Sequence, residues 1–215
     1  MCYREGIQSL TQQDIRYAEQ RGYRIKLLGI TRRAKKGIEL RVHPTLVPAR
    51  RLIANVEGVM NAILVKGDAA GPTLYYGAGA GSLPTASAVV ADLVDVTRLI
   101  TADPEHRVPH LAFQPDQLSG VPILPIEAVE TSCYLRMRVL DRPGVLADVT
   151  RILADSKISI DAMVQKEPEK GESRADIVML THLALEKNVN QAIARIEKLP
   201  TVVGAVTRIR LEELL

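Results

Sequence analysis

The stretch CYLRMRVLDRPGVL, residues 133–146, contains the change of hydrophobic period that decides the fold. In its first half, apolar side chains alternate with polar or aromatic ones, which is typical of a strand with one buried face. The alternating apolar residues are Cys133, Leu135, Met137 and Val139. Residues 141–144 have the chemistry of a turn, and apolar residues then return at the three- and four-residue spacing of a helix. The stretch therefore predicts a strand, a turn and an amphipathic helix.

The sequence downstream repeats this order. The predicted segments are a strand at 158–164, a charged loop at 168–172, a strand at 175–181, a helix at 189–199 and a strand at 203–211. The order βαββαβ places two helices on one face of an antiparallel sheet. We therefore expect a ferredoxin-like module over residues 131–215.

The sequence upstream predicts a second domain with its own sheet. Thr11 and Asp14 have the spacing of a helix N-cap and its N3 acid, and Gly22 ends this helix. Strands are predicted at 23–30, 38–42, 61–65 and 73–76, and a helix at 86–99. Prolines interrupt residues 103–130, which indicates a connector. The expected fold class is α+β: a mixed or antiparallel sheet domain with helices on one face over residues 1–102, the connector, and the ferredoxin-like module.

The composition excludes several classes of protein. Of 215 residues, 47% are hydrophobic, and the formal net charge is +3. No apolar run approaches the about 20 residues that span a bilayer, and the first ten residues lack the features of a signal peptide. The balanced charge and the 3% content of aromatic residues argue against nucleic acid as a partner. We expect a soluble, cytoplasmic protein with neither a membrane nor a nucleic-acid partner.

The cysteines and histidines do not indicate a metal site. The two cysteines, Cys2 and Cys133, are too few to predict a disulfide, and Cys133 lies in an apolar run where a buried thiol is expected. The four histidines lack the spacing of metal ligands. We therefore expect no resident metal ion.

A glycine-rich loop is the first candidate binding site. Gly77, Gly79 and Gly81 allow a ligand to approach the backbone closely, and the helix that follows directs free amides at the loop. Thr85 adds a hydroxyl near this helix start. The spacing matches neither a Rossmann fingerprint nor a Walker loop. The alternative interpretation is a tight strand-to-helix turn without a ligand.

The turn from Asp141 to Leu146 is the second candidate. Asp141 can cap the following helix, and Gly144 allows a ligand to approach its start. Backbone amides at a helix N-terminus suit an α-carboxylate. The alternative interpretation is a capped helix and nothing more.

A third group is basic. Arg41, His43, Arg50 and Arg51 lie around two prolines and can meet an anion, although residues of this kind are more often surface charges. Lys26 lies in an apolar strand and is either a catalytic amine or, more plainly, a lysine that extends to solvent from a strand edge. No arrangement of Ser, His and Asp is indicated.

Several of these segments together resemble bacterial homoserine dehydrogenase. They are YRIKLLG at 23–29, NVEGVMNAI at 55–63, GAGAG at 77–81, PTASAV at 84–89 and Asp92-Leu93. The stretch DRPGVL at 141–146 resembles an ACT domain, which this family often carries at its C-terminus. The resemblance covers essentially the whole chain and keeps the order of the segments.

The resemblance implies a division of the chain and a set of site residues. Residues 1–102 correspond to the C-terminal part of the catalytic and dimerisation domain, and 131–215 to a regulatory ACT domain. The family's Rossmann domain and its catalytic lysine and aspartate have no match in this sequence, so we assign no catalytic residue and expect Met1 to be an artificial or truncated start. Gly77, Gly79, Gly81 and Thr85 match the loop that approaches the cofactor, NADP or NAD.

The resemblance also implies partners. The family interconverts L-homoserine and L-aspartate 4-semialdehyde, on the route to threonine, methionine and isoleucine. Threonine is the usual effector, which assigns Asp141, Gly144, Val145 and Leu146 to an effector site. A homo-oligomer, most simply a dimer, is expected, and this chain alone is expected to be inactive. The alternative is a free-standing regulatory protein that contains an ACT domain and has no catalytic activity.

Overall fold

A computed structural model describes residues 1–101, 113, 115–166 and 173–214. Contacts divide the chain into two compact units, one of residues 1–54 and 122–214 and the other of residues 55–121. The charged loop predicted at 168–172 and most of the first half of the connector lie outside the described residues. The predicted division into 1–102, 103–130 and 131–215 stays a prediction about the family's domains.

The elements follow one another in the predicted α+β order. They are β1 (Tyr3–Arg4), α1 (Gln12–Gln20), β2 (Tyr23–Ala34), β3 (Gly37–Pro48), β4 (Met60–Gly67), β5 (Gly71–Ala78), α2 (Ser82–Thr101), β6 (Glu130–Leu140), α3 (Val145–Asp155), β7 (Ile160–Lys166), β8 (Arg174–Thr181), β9 (Ala184–Leu185), α4 (Glu186–Ile196) and β10 (Val202–Leu211). The βαββαβ order predicted for residues 131–215 is confirmed, and the short strands β1 and β9 were not predicted.

The larger unit contains one continuous sheet. Its strands lie in the order β1-β3-β10-β6-β8-β7, with β2 paired to β3 and β9 paired to β6. Strands β3 and β10 run parallel, and their register places Thr45 opposite Arg210 and Leu46 opposite Leu211. The sheet of the βαββαβ module is thus extended by strands from the first 54 residues.

This arrangement corrects one expectation. Residues 23–76 were expected to form one sheet, but β2 and β3 belong to the continuous sheet, whereas among the described strands β4 and β5 pair only with each other. The alternation of apolar residues predicted the strands correctly, but alternation within a strand does not show which strands are neighbours in a sheet.

Apolar side chains are buried on both faces of the sheet. On β6, Cys133, Leu135, Met137 and Val139 join a core with residues of α3 and α4. The neighbouring Tyr134 joins a second core with Tyr17 and Ala18 of α1. Because successive strand residues point to opposite faces, α3 and α4 cover one face and α1 covers the other. The buried thiol predicted for Cys133 is confirmed.

Helix α1 has the predicted ends. Thr11 is its N-cap, and the Thr11 and Asp14 side chains form a reciprocal capping box with each other's backbone amides. Gly22 follows the C-cap with a φ of 76°, a left-handed conformation that favours glycine.

The smaller unit consists of a hairpin and a long helix. Strands β4 and β5 pair from Met60 opposite Ala78 to Gly67 opposite Gly71. Helix α2 extends beyond the predicted residues 86–99 at both ends, and none of its residues is buried. Its exposed large apolar side chains are Leu83, Val89, Val90, Leu93, Val94, Val96 and Ile100. Among the described residues, no helix has both the length and the apolar content that crossing a membrane requires.

Candidate ligand-binding loops

The glycine-rich loop joins β5 to α2, as predicted. β5 ends at Ala78 and α2 begins at Ser82. The Gly79 amide donates to the Val59 carbonyl oxygen over 3.2 Å, and a Cβ at Gly79 would collide with the side-chain amide of Asn61. Gly81 has a φ of 121°, which disfavours any other residue. The backbone conformation at Gly81 therefore explains this glycine without a ligand, whereas at Gly79 the Asn61 side chain could move aside for a Cβ.

The loop also offers a surface that a ligand can use. A Cβ at Gly77 would meet nothing within 4 Å, so this stretch of backbone is open to an incoming group. The Thr85 amide donates to the Gly81 carbonyl oxygen over 3.1 Å, which places Thr85 in the first turn of α2. The end of β5, the loop and the first turn of α2 thus contain the four predicted residues, Gly77, Gly79, Gly81 and Thr85. Their role in binding a cofactor stays a prediction.

The turn at residues 141–144 leads from β6 into α3. The Asp141 amide donates to the Ser173 carbonyl oxygen over 2.9 Å, and the Leu140 amide to the Thr201 carbonyl oxygen over 2.8 Å. These bonds fix the end of β6 to its surroundings. Gly144 then takes the N-cap position with a φ of 92°. Val145 is buried and Leu146 packs against the same core, so both anchor the start of α3.

The prediction that Asp141 caps α3 is wrong. The N-cap is Gly144, and no side chain caps this helix end. Gly144 adopts a left-handed conformation directly before α3, so residues 142–144 separate Asp141 from the first residue of the helix. The exposed Asp141 carboxylate instead accepts from Gln165 Nε2 of β7, over 3.4 Å.

The corrected geometry still suits a zwitterion. A Cβ at Gly144 would meet nothing within 4 Å, so the helix start faces open space. The N-terminus of α3 carries the positive end of the helix dipole and favours an anion. Asp141 supplies a negative charge at the other end of the same turn. The effector roles of Asp141, Gly144, Val145 and Leu146 stay predictions.

Two of the four basic residues considered as an anion site are buried instead. Arg41 donates to Glu212 Oε1 over 2.5 Å and to Glu39 Oε2 over 3.3 Å. His43 Nε2 lies 2.9 Å from Arg41 Nη1, and His43 Nδ1 lies 3.0 Å from the Pro44 carbonyl oxygen. Burial lowers the pKa of His43 to about 4. These two side chains therefore have internal partners and are not surface charges.

The other two basic residues lie at the surface. Arg50 pairs with Glu213 over 2.9 Å, and both side chains are exposed. Arg51 Nε donates to the Glu213 carbonyl oxygen over 2.7 Å. The plain interpretation of these residues as surface charges is the one the structure supports.

A buried charge cluster around Arg210 was not predicted. Arg210 donates to both carboxylate oxygens of Glu186, at 2.7 and 2.9 Å, and to Glu5 Oε2 at 2.7 Å. Burial raises the pKa of Glu186, but the hydrogen bond and charge of Arg210 outweigh it, so this pKa is lowered. The alternation of apolar residues predicted the strand itself, but no local signal shows that carboxylates distant in the sequence pair with its arginines.

No group that could hold a metal ion occurs in the part of the chain that the structure describes. Burial raises the pKa of the Cys133 thiol to about 11, so this cysteine is not a thiolate near neutral pH. The chemistry that the two loops offer is binding by backbone groups rather than catalysis.

Two protein families match successive parts of the chain. Residues 1–94 match the family described as homoserine dehydrogenase. Residues 134–201 match the family described as ACT domain. The second match includes the whole turn at residues 141–144 and helix α3.

Curated relatives and solved structures give the same result. The homoserine dehydrogenase of Pseudomonas aeruginosa is 59% identical over 213 residues, which are 99% of this chain and 49% of that protein. The one of Neisseria gonorrhoeae is 56% identical, with the same coverage. The crystal structure of a homoserine dehydrogenase from Thiobacillus denitrificans superposes with a TM-score of 0.90 at 74% identity, over 100% of this chain and 48% of that one. The chain spans about half the length of the curated relatives it matches.

Proposed function

Because residues 1–94 match the homoserine dehydrogenase family and residues 134–201 match the ACT family, we propose that this chain is the C-terminal half of a homoserine dehydrogenase that carries an amino-acid-binding regulatory module. The reaction of the whole enzyme is the NAD(P)-dependent interconversion of L-homoserine and L-aspartate 4-semialdehyde. The single observation that carries the proposal is 59% identity over 99% of this chain. We assign residues 1–102 to the catalytic and dimerisation domain, 103–130 to a connector and 131–215 to the ACT domain.

The purified 215-residue chain should not turn over substrate by itself, because it spans about half the length of the homoserine dehydrogenases that it matches. The measurement is homoserine-dependent reduction of NADP⁺ or NAD⁺, with the chain alone and with the chain joined to its upstream reading frame. Turnover by the chain alone contradicts this assignment. Absence of turnover in the joined protein favours the alternative, a regulatory protein without catalysis.

The glycine-rich loop is proposed to contact the cofactor. In the joined protein, Gly81→Val should raise the KM for the cofactor at least about tenfold, because a branched side chain crowds the backbone that the cofactor approaches. Gly71→Val is the matched control, since Gly71 also has a positive φ, a Cβ there meets nothing within 4 Å, and it lies at the other end of the β4–β5 hairpin. A lower melting temperature with an unchanged KM would indicate that this loop is a strand-to-helix turn that does not contact the cofactor.

The turn at residues 141–146 is proposed to bind L-threonine. Its carboxylate would take the open N-terminus of α3 at Gly144, and Asp141 would hold the ammonium group. A ligand at ten times its Kd stabilises the folded state by about 1.4 kcal/mol. For a protein of this size, that is a rise in melting temperature of about 3 to 6 °C.

A thermal-shift titration over a panel of amino acids tests this site. Gly144→Asp should abolish the shift, since it places a negative charge where the carboxylate would lie. Gly22→Asp is the matched control, because Gly22 also has a positive φ and open space around its Cα. If no amino acid at millimolar concentration shifts the wild type, the ACT module is a structural unit.

We also propose that the protein is a homodimer. The support is the apolar surface of α2, on which no residue is buried within this chain, since large exposed apolar surfaces usually mark contacts. Sedimentation at micromolar concentration should show a species of about twice the 23.6 kDa chain mass. A monomer alone would contradict the proposal.

A further inference from the structure

Helix α1 connects the two families within one compact unit. It belongs to the segment that matches homoserine dehydrogenase, yet it lies on the sheet of the ACT module. Its buried residues are Asp14, Tyr17 and Ala18, at the i, i+3 and i+4 spacing of one helix face. They meet Tyr134 of β6, and the same core contains Val178, Leu180 and Ile209. The ACT sheet therefore has a helix from the other family on its second face.

One buried ion pair fixes this helix to the sheet. Asp14 is completely buried and accepts from Arg136 Nε over 2.6 Å and from Arg136 Nη2 over 3.0 Å. It also accepts from the Tyr134 hydroxyl over 3.2 Å and from both the amide and the hydroxyl of Thr11. Burial raises the pKa of Asp14, but the hydrogen bonds from Arg136 and Thr11 outweigh it, so the pKa is lowered and the carboxylate stays charged.

Arg136 connects this ion pair to two strands. It lies in β6, and its Nη2 also donates to Thr207 Oγ1 of β10 over 3.1 Å. β6 continues from Arg136 to Leu140, directly before the turn at Asp141. The five steps along the chain from Arg136 to Asp141 span about 16 Å of extended chain. β8 pairs with β6 at every residue from Tyr134 to Leu140, whereas β10 pairs with β6 on either side of an irregularity opposite Met137. The continuous pairing with β8 makes this short segment a stiff connection between the turn and the ion pair.

We propose that the Asp14–Arg136 ion pair is the joint through which occupancy of the turn at residues 141–146 affects the segment that matches homoserine dehydrogenase. The inference rests on the proposed effector function of this turn. A ligand at the N-terminus of α3 restricts the end of β6, and Arg136 transmits that restriction to Asp14 and α1. Asp14 and Arg136 are positioning residues, since neither touches the ligand.

Hydrogen exchange on the full 215-residue chain tests the joint, with L-threonine as the probe. In the wild type, millimolar L-threonine should slow amide exchange at least about threefold in both α3 and α1. In Asp14→Asn, the slowing should persist in α3 and disappear in α1. Glu213→Gln is the matched control, because Glu213 and Arg50 also join the two segments but form an exposed pair, and it should respond as the wild type does.

A second variant keeps the test decisive if Asp14→Asn does not fold. Arg136→Lys keeps the charge but cannot reach Asp14 and Thr207 at once, so the response of α1 should fall to about half while that of α3 is unchanged. If L-threonine slows exchange in α1 of either folded variant as much as in the wild type, the ion pair does not transmit the effect, and the effector site itself is not contradicted. The same conclusion follows if L-threonine slows exchange in the wild type in α3 but not in α1. If exchange in α3 does not respond in the wild type, the effector proposal fails, and the joint fails with it.

Discussion

His43 is a base that the fold keeps neutral. Its Nδ1 faces the Pro44 carbonyl oxygen and therefore carries the proton, which leaves Nε2 to accept from Arg41. A second proton would place an N–H at Nε2 directly opposite the Arg41 guanidinium. Together with complete burial, this explains why the pKa of His43 falls to about 4.

Acid should therefore destabilise the protein before its carboxylates titrate. Between pH 6.5 and about 4, the unfolded chain binds a proton at residue 43 that the folded chain does not, so stability falls as the pH falls. The loss is at most about 3 kcal/mol. His43→Gln should remove this pH dependence, whereas the exposed His182→Gln should keep it. Urea unfolding at pH 7 and pH 5 measures the free energy of unfolding of each protein. The same change in this free energy between the two pH values in all three proteins would contradict the prediction.

Arg210 and Glu186 provide a second prediction at the residue scale. Arg210→Met should reduce the free energy of unfolding by about 3 to 5 kcal/mol, because Glu186 would remain buried without its cation. Arg50→Met removes an exposed ion pair and should cost less than about 1 kcal/mol. Chemical denaturation of both variants makes the comparison. A similar small effect in both would mean that water reaches Glu186.

Short-range patterns predicted individual elements well. The capping box at Thr11, the alternation in β6 and the apolar stripe of α3 each depend on residues within a few positions of one another. The capping role of Asp141 was wrong because the left-handed turn at Gly144 uses residues that the pattern assigned to the helix. The burial of Arg41 and Arg210 was missed because Arg41 pairs with Glu212 and Arg210 with Glu5, and these carboxylates lie far away in the sequence.

The β2–β3 hairpin depends on a glycine at its tip. A Cβ at Gly37 would collide with the Pro122 carbonyl oxygen, and the same carbonyl accepts from the Ile38 amide over 2.9 Å. Gly37→Ala should lower the melting temperature by several degrees, since the segment at 122–124 must move away. Gly29→Ala, in the same hairpin, meets only an ordinary contact at 3.9 Å and should be tolerated. Thermal melting followed by circular dichroism compares the two, and equal melting temperatures would show that residues 122–124 adjust freely.

At the scale of the whole molecule, residues 1–54 and 122–214 should unfold together. They share one sheet and the core that contains Tyr17 and Tyr134, and ion pairs join Glu5 to Arg210 and Arg41 to Glu212. In native-state hydrogen exchange with increasing urea, amides of β3 and β6 should converge on the same opening free energy. Opening of β3 at clearly lower urea than β6 would show two independent units. The sequence did not predict this unity, because periodicity does not report pairing between distant strands.

The parallel pairing of β3 with β10 also determines when the protein can fold during its synthesis. Thr45 leaves the ribosome 165 residues before its partner Arg210. At about 5 to 20 residues per second, this interval is roughly 8 to 33 seconds. Throughout it, the edge of β3 that receives β10 lacks its neighbour, and Arg41 lacks Glu212. The nascent chain therefore carries an open strand edge, and Arg41 has Glu39 but not yet Glu212 as a carboxylate partner, until β10 and Glu212 emerge. An unpaired strand edge is a template on which another chain can pair.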